Sequence, residues 1–366
     1  MEGFRALFGS VSDPRDYNVR HDLTEILFIA LAATLCGAQD CSDFSDFGHA
    51  KEEWLRQYME LPHGVPSHDT FSRVLRVLVP EELQQALERF NACLATVLRE
   101  KGTDVEVIAF DGKTLRRAYE AGQSSMPPMT VSAFDTQTRM TLAHAPAPGG
   151  AEIEAVLRLV DLLDLSGAVV TADALHSTRR MVKAVREKGA DYALVLKGNR
   201  GPLYKEAVER LAATTDAPEA ETRERGHGRV EHRRAWVVPA ADLETRHKFA
   251  GLAAIGCIKS QRQVGDKTHT GCRVFVLSRQ FTPEALLRIA RDHWAIENCL
   301  HWQLDVVFGE DQARNRKDHA PENLALIRRI ALNILRAHPR KASMKSKRNT
   351  AGWNNDFFNS LFAHMR

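Results

Sequence analysis

Apolar residues recur at helical spacing three times within the first hundred positions. Leu23, Ile26, Leu27, Ala30, Leu31 and Leu35 predict a helix over 22–36, with Asp22 placed to cap its first turn. Phe71, Val74, Leu75 and Leu78 predict a second over 68–78, behind the capping candidates Ser67 and Asp69. Leu83, Leu87, Phe90, Leu94, Val97 and Leu98 predict a third over 81–99. Gly102 ends this pattern and β character takes over. Strands are expected at 105–111, 129–134 and 139–145, separated by the turn-forming stretches SSMPP and DTQT. A helix over 152–165 follows, then a short β-branched run at 168–172, a helix over 178–188 stopped by Gly189, and a strand at 192–196. Three strands, helix, strand, helix, strand make an α/β mixed sheet with helices packed on it. Strand-like pieces at 230–238, 253–258 and 272–278 mark a β-rich insertion before helical spacing resumes over 283–306 and 321–336.

The pattern divides the chain into an α-helical N-terminal domain (1–101), the first part of an α/β core (102–199), the insertion (200–282), the completion of the core (283–338) and a basic C-terminal tail (339–366). At 366 residues, 44% hydrophobic and 27% charged, the chain has ordinary globular composition. No apolar run reaches the roughly 18 residues of a bilayer span, and the start MEGFRALFGSVSDPRD lacks the basic-then-apolar pattern of a signal peptide. Six cysteines without framework spacing suit a reducing cytoplasm and argue against a zinc site. No membrane partner is expected. The net charge of +3 hides an asymmetry, because residues 1–100 hold 9 basic against 16 acidic residues and residues 311–366 hold 12 against 4. Arg314, Arg316, Lys317, Arg328, Arg329, Arg340, Lys341, Lys345, Lys347 and Arg348 read as a cationic end for phosphate neutralisation, or as a solvated basic tail.

Three carboxylates carry candidate chemistry. Asp111 closes the strand VEVIAFD before a Gly that allows a turn, and Asp173 closes AVVTAD at the strand edge where ligand sites gather in such sheets. Glu297 lies among Trp294, Leu300 and Leu304 on the expected buried stripe of a helix, without a Lys or Arg three or four residues away. A carboxylate placed there calls for a positive partner. Mg²⁺, which prefers oxygen ligands and works beside substrate phosphates, is the natural one, and two ions would fit phosphoryl chemistry.

The segments SDPRDYNVRHDLTEIL, LPHGVPSHDTFSRV, IAFDGKTLR, TADALHS, DYALVLKGN, RGHGRVEHR and HWAIENCLHWQLDVVFGEDQAR resemble, in this order and over nearly the whole chain, the DDE transposases of bacterial insertion sequences. The resemblance is to the H-repeat-associated branch. It implies an RNase H-like core interrupted by the β insertion, and places the acidic triad on Asp111, Asp173 and Glu297. It further implies two Mg²⁺ ions (Mn²⁺ can substitute), and cutting and joining of double-stranded DNA, both element terminal repeats and target. A homodimer on DNA and a cytoplasmic, nucleoid-associated location follow from that activity. Broader relatives carry an Arg four before the Glu and a Lys seven after it; here these are His293 and Leu304. A Lys and an Asn usually precede Glu-Ile in similar proteins, where this chain has PGGAEIEA, which weakens the case for a role of Glu152. Two other readings stay open: a nuclease of this fold that does not rejoin, and a retired transposase kept as a DNA-binding or regulatory protein.

Candidate DNA contacts are Lys113, Lys197, Asn199, His227, Arg229, Arg291, His293 and His301. Trp294 and Trp302 could stack on an extruded base, although Trp294 reads more naturally as core. Asp305 is expected beside the site rather than in it, and His176 could help orient substrate. The helices at SHDTFSRVL and EELQQALERF form either a helix-turn-helix or an interaction surface.

Overall fold

The Asp22 carboxylate accepts from the Glu25 N–H and the Ser67 hydroxyl from the Thr70 N–H, which fixes the starts of two predicted helices. The structure, a computed structural model, describes residues 2–15, 19–98, 106–118, 126–213, 220–226 and 228–362. Its N-terminal helices are α1 (Glu2–Phe8), α2 (Leu23–Cys36), α3 (Cys41–Ala50), α4 (Glu52–Leu55), α5 (His68–Val77) and α6 (Pro80–Leu98). Helix α2 is buried on all sides, so its apolar residues do not form a single stripe. Among the described residues no single helix is long and apolar enough to cross a membrane.

The next elements are β1 (Val107–Thr114), β2 (Met129–Asp135), β3 (Met140–Pro146), α7 (Glu152–Leu162), β4 (Val169–Ala172), α8 (Arg179–Glu187), β5 (Asp191–Leu196) and α9 (Gly201–Ala212). They are followed by β6 (Ala220–Gly226), β7 (Arg229–Pro239), α10 (Asp242–His247), β8 (Ala254–Val264) and β9 (Lys267–Leu277). The nine strands of the described residues form one sheet in the order β3-β2-β1-β4-β5-β9-β8-β7-β6. Strands β1 to β3 are an antiparallel meander, and β4 and β5 run parallel to β1, giving the RNase H-like mixed sheet. The insertion continues this sheet, since β9 pairs antiparallel with β5. That pairing covers only Val274–Leu277, so residues 267–273 extend past the C-terminal edge of β5 by about 20 Å at 3.3 Å per residue. Strands β6, β7 and β8 extend with β9. The four strands thus form an arm rising above the edge where β1 and β4 carry their acids.

After the arm come α11 (Pro283–His293), α12 (Trp302–Val306), α13 (Ala320–Ala337), α14 (Met344–Trp353) and α15 (Asn355–Leu361). Helices α7 and α8 cover one face of the sheet, where Ile108, Phe110, Val156, Leu159 and Val182 pack together. Helix α11 covers the other, with Val107, Val169, Val237, Phe275, Leu286 and Ile289. Leu300, Leu304, Leu326 and Ile330 join Ile26, Leu31 and Phe71 in a shared core with the N-terminal helices. Helix amides seal the outer edge of β3: Asn91 donates to the Thr141 and Leu142 carbonyls, Asn333 accepts from the Thr141 N–H, and Gln84 accepts from the His144 N–H. Half of the expected helix-turn-helix, α6, is therefore engaged with β3 rather than presented outward.

The segment expected as a basic tail is largely helical, and several of its cations are buried. Arg348 donates to the carbonyls of Thr34, Ala38 and Val307, Lys347 to those of Leu335 and His338, and Arg328 to that of Gln39. Cations favour such positions because helix C-termini leave carbonyls without intrahelical donors. Much of the C-terminal charge excess thus serves the fold rather than a solvent-facing surface.

Candidate active site

The parallel register of β1 and β4 ends at Phe110↔Ala172, so the next residue on each strand is an aspartate, Asp111 and Asp173. Both continue the alternation that turns Val107 and Val169 toward α11. Asp111 does not close its strand, contrary to the sequence expectation, because pairing with β2 continues to Thr114↔Met129. Asp173 directly follows the last residue of β4, is exposed, and opens a 3-10 turn over Ala174–His176. Gly112 is likewise a strand residue, not a turn. A Cβ there would lie 2.7 Å from Glu152 Oε1, so the glycine makes room for the Glu152 side chain on the α7 face of the sheet. Glu152 Oε1 in turn meets Nε2 of buried His176 at 2.9 Å. Neither the glycine's purpose nor the role of Glu152 showed in the sequence, since the contact joins distant segments.

Glu297 departs from its predicted setting. The helix expected over 283–306 breaks after His293, and Ile296–His301 forms a π-helical turn leading into α12. The buried stripe runs through Ile296, Leu300 and Leu304, while Glu297 is exposed beside it and Trp294 is 45% exposed. The wider turn shifts the register by which Trp294 and Glu297 had been assigned to the stripe. Partial desolvation by the surrounding side chains raises the Glu297 carboxyl above its ordinary range; the Asp111 and Asp173 charges add to this, and His301 and Lys113 oppose it. The three acids therefore share one electrostatic environment.

Two histidines, four residues either side of Glu297, reach toward the aspartates. His301 is buried and donates from Nε2 to Asp111 Oδ2 at 3.0 Å, while its Nδ1 has no hydrogen-bond partner among the described residues. Burial alone would push the Asp111 carboxyl up, but the His301 hydrogen bond, the His301 and His293 charges and the Gly112 N–H hold it below the usual range. His293 Nδ1 pairs with Thr171 Oγ1 at 3.1 Å. Its imidazole is lowered by burial, against the raising influence of Asp111 and Asp173. Among the described residues, no group of three His, Cys, Asp or Glu stands ready to enclose a metal ion.

Several expected DNA contacts have protein partners. Lys113 is buried, with Nζ 2.6 Å from Asp305 and 3.1 Å from Asp311. It fastens β1 to the segment after Glu297, leaving it no ready contact for phosphate. Arg291 pairs with Glu224 of β6 and so ties α11 to the arm. Asn199 donates to the Ala174 carbonyl at 3.1 Å, joining the loop after β5 to the turn after Asp173. Lys197 beside it is exposed. Arg229 opens β7 at the tip of the arm, opposite Val264; His227 lies outside the described residues. Trp302 is 53% exposed, and exposed Trp294 has the Arg273 guanidinium 4.9 Å from its ring centre.

The same succession of segments is found in known proteins. Residues 102–334 match the transposase DDE domain family, and residues 5–91 match the region associated with it. The chain belongs to the DDE transposase family, in its H-repeat-associated branch. This transposase is 30% identical over 361 residues to the Escherichia coli K12 protein named "H repeat-associated putative transposase YhhI", covering 95% of this chain and 94% of that one. It is 31% identical over 357 residues to "Putative transposase YncI" of Escherichia coli O157:H7, covering 94% and 90%. Among solved structures, it aligns with a piggyBac transposase synaptic complex with hairpin DNA at a TM-score of 0.45 and 12% identity, over 100% of this chain and 80% of that one.

Proposed function

We propose that this transposase hydrolyses a phosphodiester at the ends of its own element and joins the freed 3′-hydroxyl to target DNA, in a metal-dependent reaction at Asp111, Asp173 and Glu297. The observation that carries this reading is the register of β1 and β4, which ends the pairing immediately before two aspartates whose charges both act on Glu297. Their donor atoms are hard carboxylate oxygens, the set that Mg²⁺ or Mn²⁺ takes, and their mutual repulsion at Glu297 is what a cation relieves. Two such ions, held by the three acids, would activate the attacking oxygen and stabilise the leaving one.

The chain's own residues do the positioning. His301 fixes the Asp111 carboxylate, and the Lys113 pairs with Asp305 and Asp311 brace β1 against the segment that follows Glu297. On the arm, Arg229, Arg262, Lys267, His269 and Arg273 alternate onto the α11 face, the face of Asp111. Double-stranded DNA lying across the acids would run along this cationic wall, with Trp294 and Trp302 exposed to stack on a displaced base. Lys197 and Asn199 lie at the adjacent sheet edge. Two element ends require two active sites, which makes a homodimer on DNA the working assembly.

Strand joining separates this reading from a nuclease of the same fold. Given DNA fragments with pre-cut 3′-hydroxyl ends of the element, Mg²⁺ and a supercoiled plasmid, the full chain is expected to yield covalently joined products on a gel. Cleavage of intact ends without any joined product would reduce the activity to that of a nuclease.

A further inference from the structure

A cavity of about 440 Å³ opens where the first turns of α8 and α9 meet, on the sheet face opposite α11. Arg179, Arg180, Arg200 and His247 line it, and no acidic side chain does among the described residues. Glu154 neutralises Arg180 through two hydrogen bonds of 2.5 and 2.9 Å, and Glu206 meets His247 at 3.2 Å from outside the lining. Arg179 uses its Nε on the His247 carbonyl. Arg200 is half-buried, and its Nε is enclosed without any hydrogen-bond partner among the described residues. An enclosed guanidinium donor without an acceptor is costly unless something supplies one.

The cavity is also coupled to the acids. Asn199 in its wall donates to the Ala174 carbonyl, directly after Asp173, and β4 and β5 are neighbours in the sheet. Resting on the functional reading above, we propose that this cavity is a second phosphate site, in which Arg179 and Arg200 hold a backbone phosphate of the same DNA that lies across Asp111, Asp173 and Glu297. The arm then grips the duplex on one side of the sheet edge and this pocket anchors its backbone on the other.

The test measures binding of the full chain to a 30-base-pair duplex, taken from the genomic DNA flanking the coding region, over a range of KCl concentrations in EDTA. No cleavage occurs there, so the result does not depend on whether the acids are catalytic. Arg179→Gln with Arg200→Gln should weaken binding by about tenfold or more, equally for unrelated sequences, and flatten the log–log salt dependence by roughly 1 to 2 units. Arg179→Gln alone, at an exposed position, should give part of the same loss with an unchanged melting curve, and Lys205→Gln on α9 should give none. Unchanged affinity and salt slope in the folded variants would overturn the proposal. So would calorimetry showing that inorganic phosphate binds in a manner lost in the double variant while DNA affinity stays the same, which would make the cavity a free-phosphate site. A wild-type chain that binds no duplex would strike down the functional reading and this occupant with it.

Discussion

Replacing Asp111 by Asn, or Glu297 by Gln, is expected to reduce DNA strand cleavage by on the order of 10³-fold while leaving DNA affinity within about threefold of wild type. Each substitution keeps the shape of the side chain and removes its charge. Metal-assisted charge stabilisation supplies several kcal/mol to phosphoryl chemistry, and a loss of about 4 kcal/mol corresponds to roughly three powers of ten in rate. Binding should survive because the expected contacts to the backbone lie elsewhere, on the arm and along the sheet edge. Asp111→Asn has a second consequence: the amide retains an oxygen that can accept from His301, so the imidazole keeps its place. Cleavage of an end-bearing duplex in Mg²⁺, followed on a denaturing gel, reads the effect. Wild-type rates in either variant would remove that acid from the catalytic set.

Glu310→Gln should lower the stability of the whole chain by about 3–5 kcal/mol, seen as a lower urea midpoint by circular dichroism. Glu310 and Arg329 form a 3.0 Å ion pair in which both side chains are fully buried. Arg329 also donates to Ser132 Oγ and to the Ala325 carbonyl, so its position on α13 is fixed from three directions. Removing one charge leaves the other enclosed without compensation, which is the costly case. Replacing both, as Glu310→Leu with Arg329→Met, should fall within about 2 kcal/mol of wild type, because the desolvation cost of the two ions disappears together. Equal midpoints for Glu310→Gln and wild type would show that the pair contributes no net stability. Since Ser132 lies opposite Asp111 on β2, the single variant should also loosen the site from beneath.

What could be read from the sequence was local. Caps at Asp22 and Ser67, the strands leading to 111 and 173, and the stop at Gly189 follow from spacing and from residues that act within one turn of themselves. The family was legible for the same reason, because its motifs are contiguous. Long-range contacts gave no such signal. Arg328, Arg329, Lys347 and Arg348 looked like a solvated cationic end, yet each is buried against carbonyls or a carboxylate contributed by other segments. Lys113 looked free because Asp305 and Asp311 lie almost two hundred positions away. The π-helical turn at Glu297 was hidden for a different reason. Ile296, Leu300 and Leu304 keep a spacing of four that an unbroken helix would also show, so the break is visible only in where Trp294 and Glu297 point.

The most direct measurement is anomalous diffraction from crystals of the full chain grown with Mn²⁺ and cleaved element-end DNA. The account predicts manganese density bounded by Asp111, Asp173 and Glu297 and touching the DNA phosphate; manganese bound elsewhere, with these three carboxylates turned apart around ordered DNA, would contradict it.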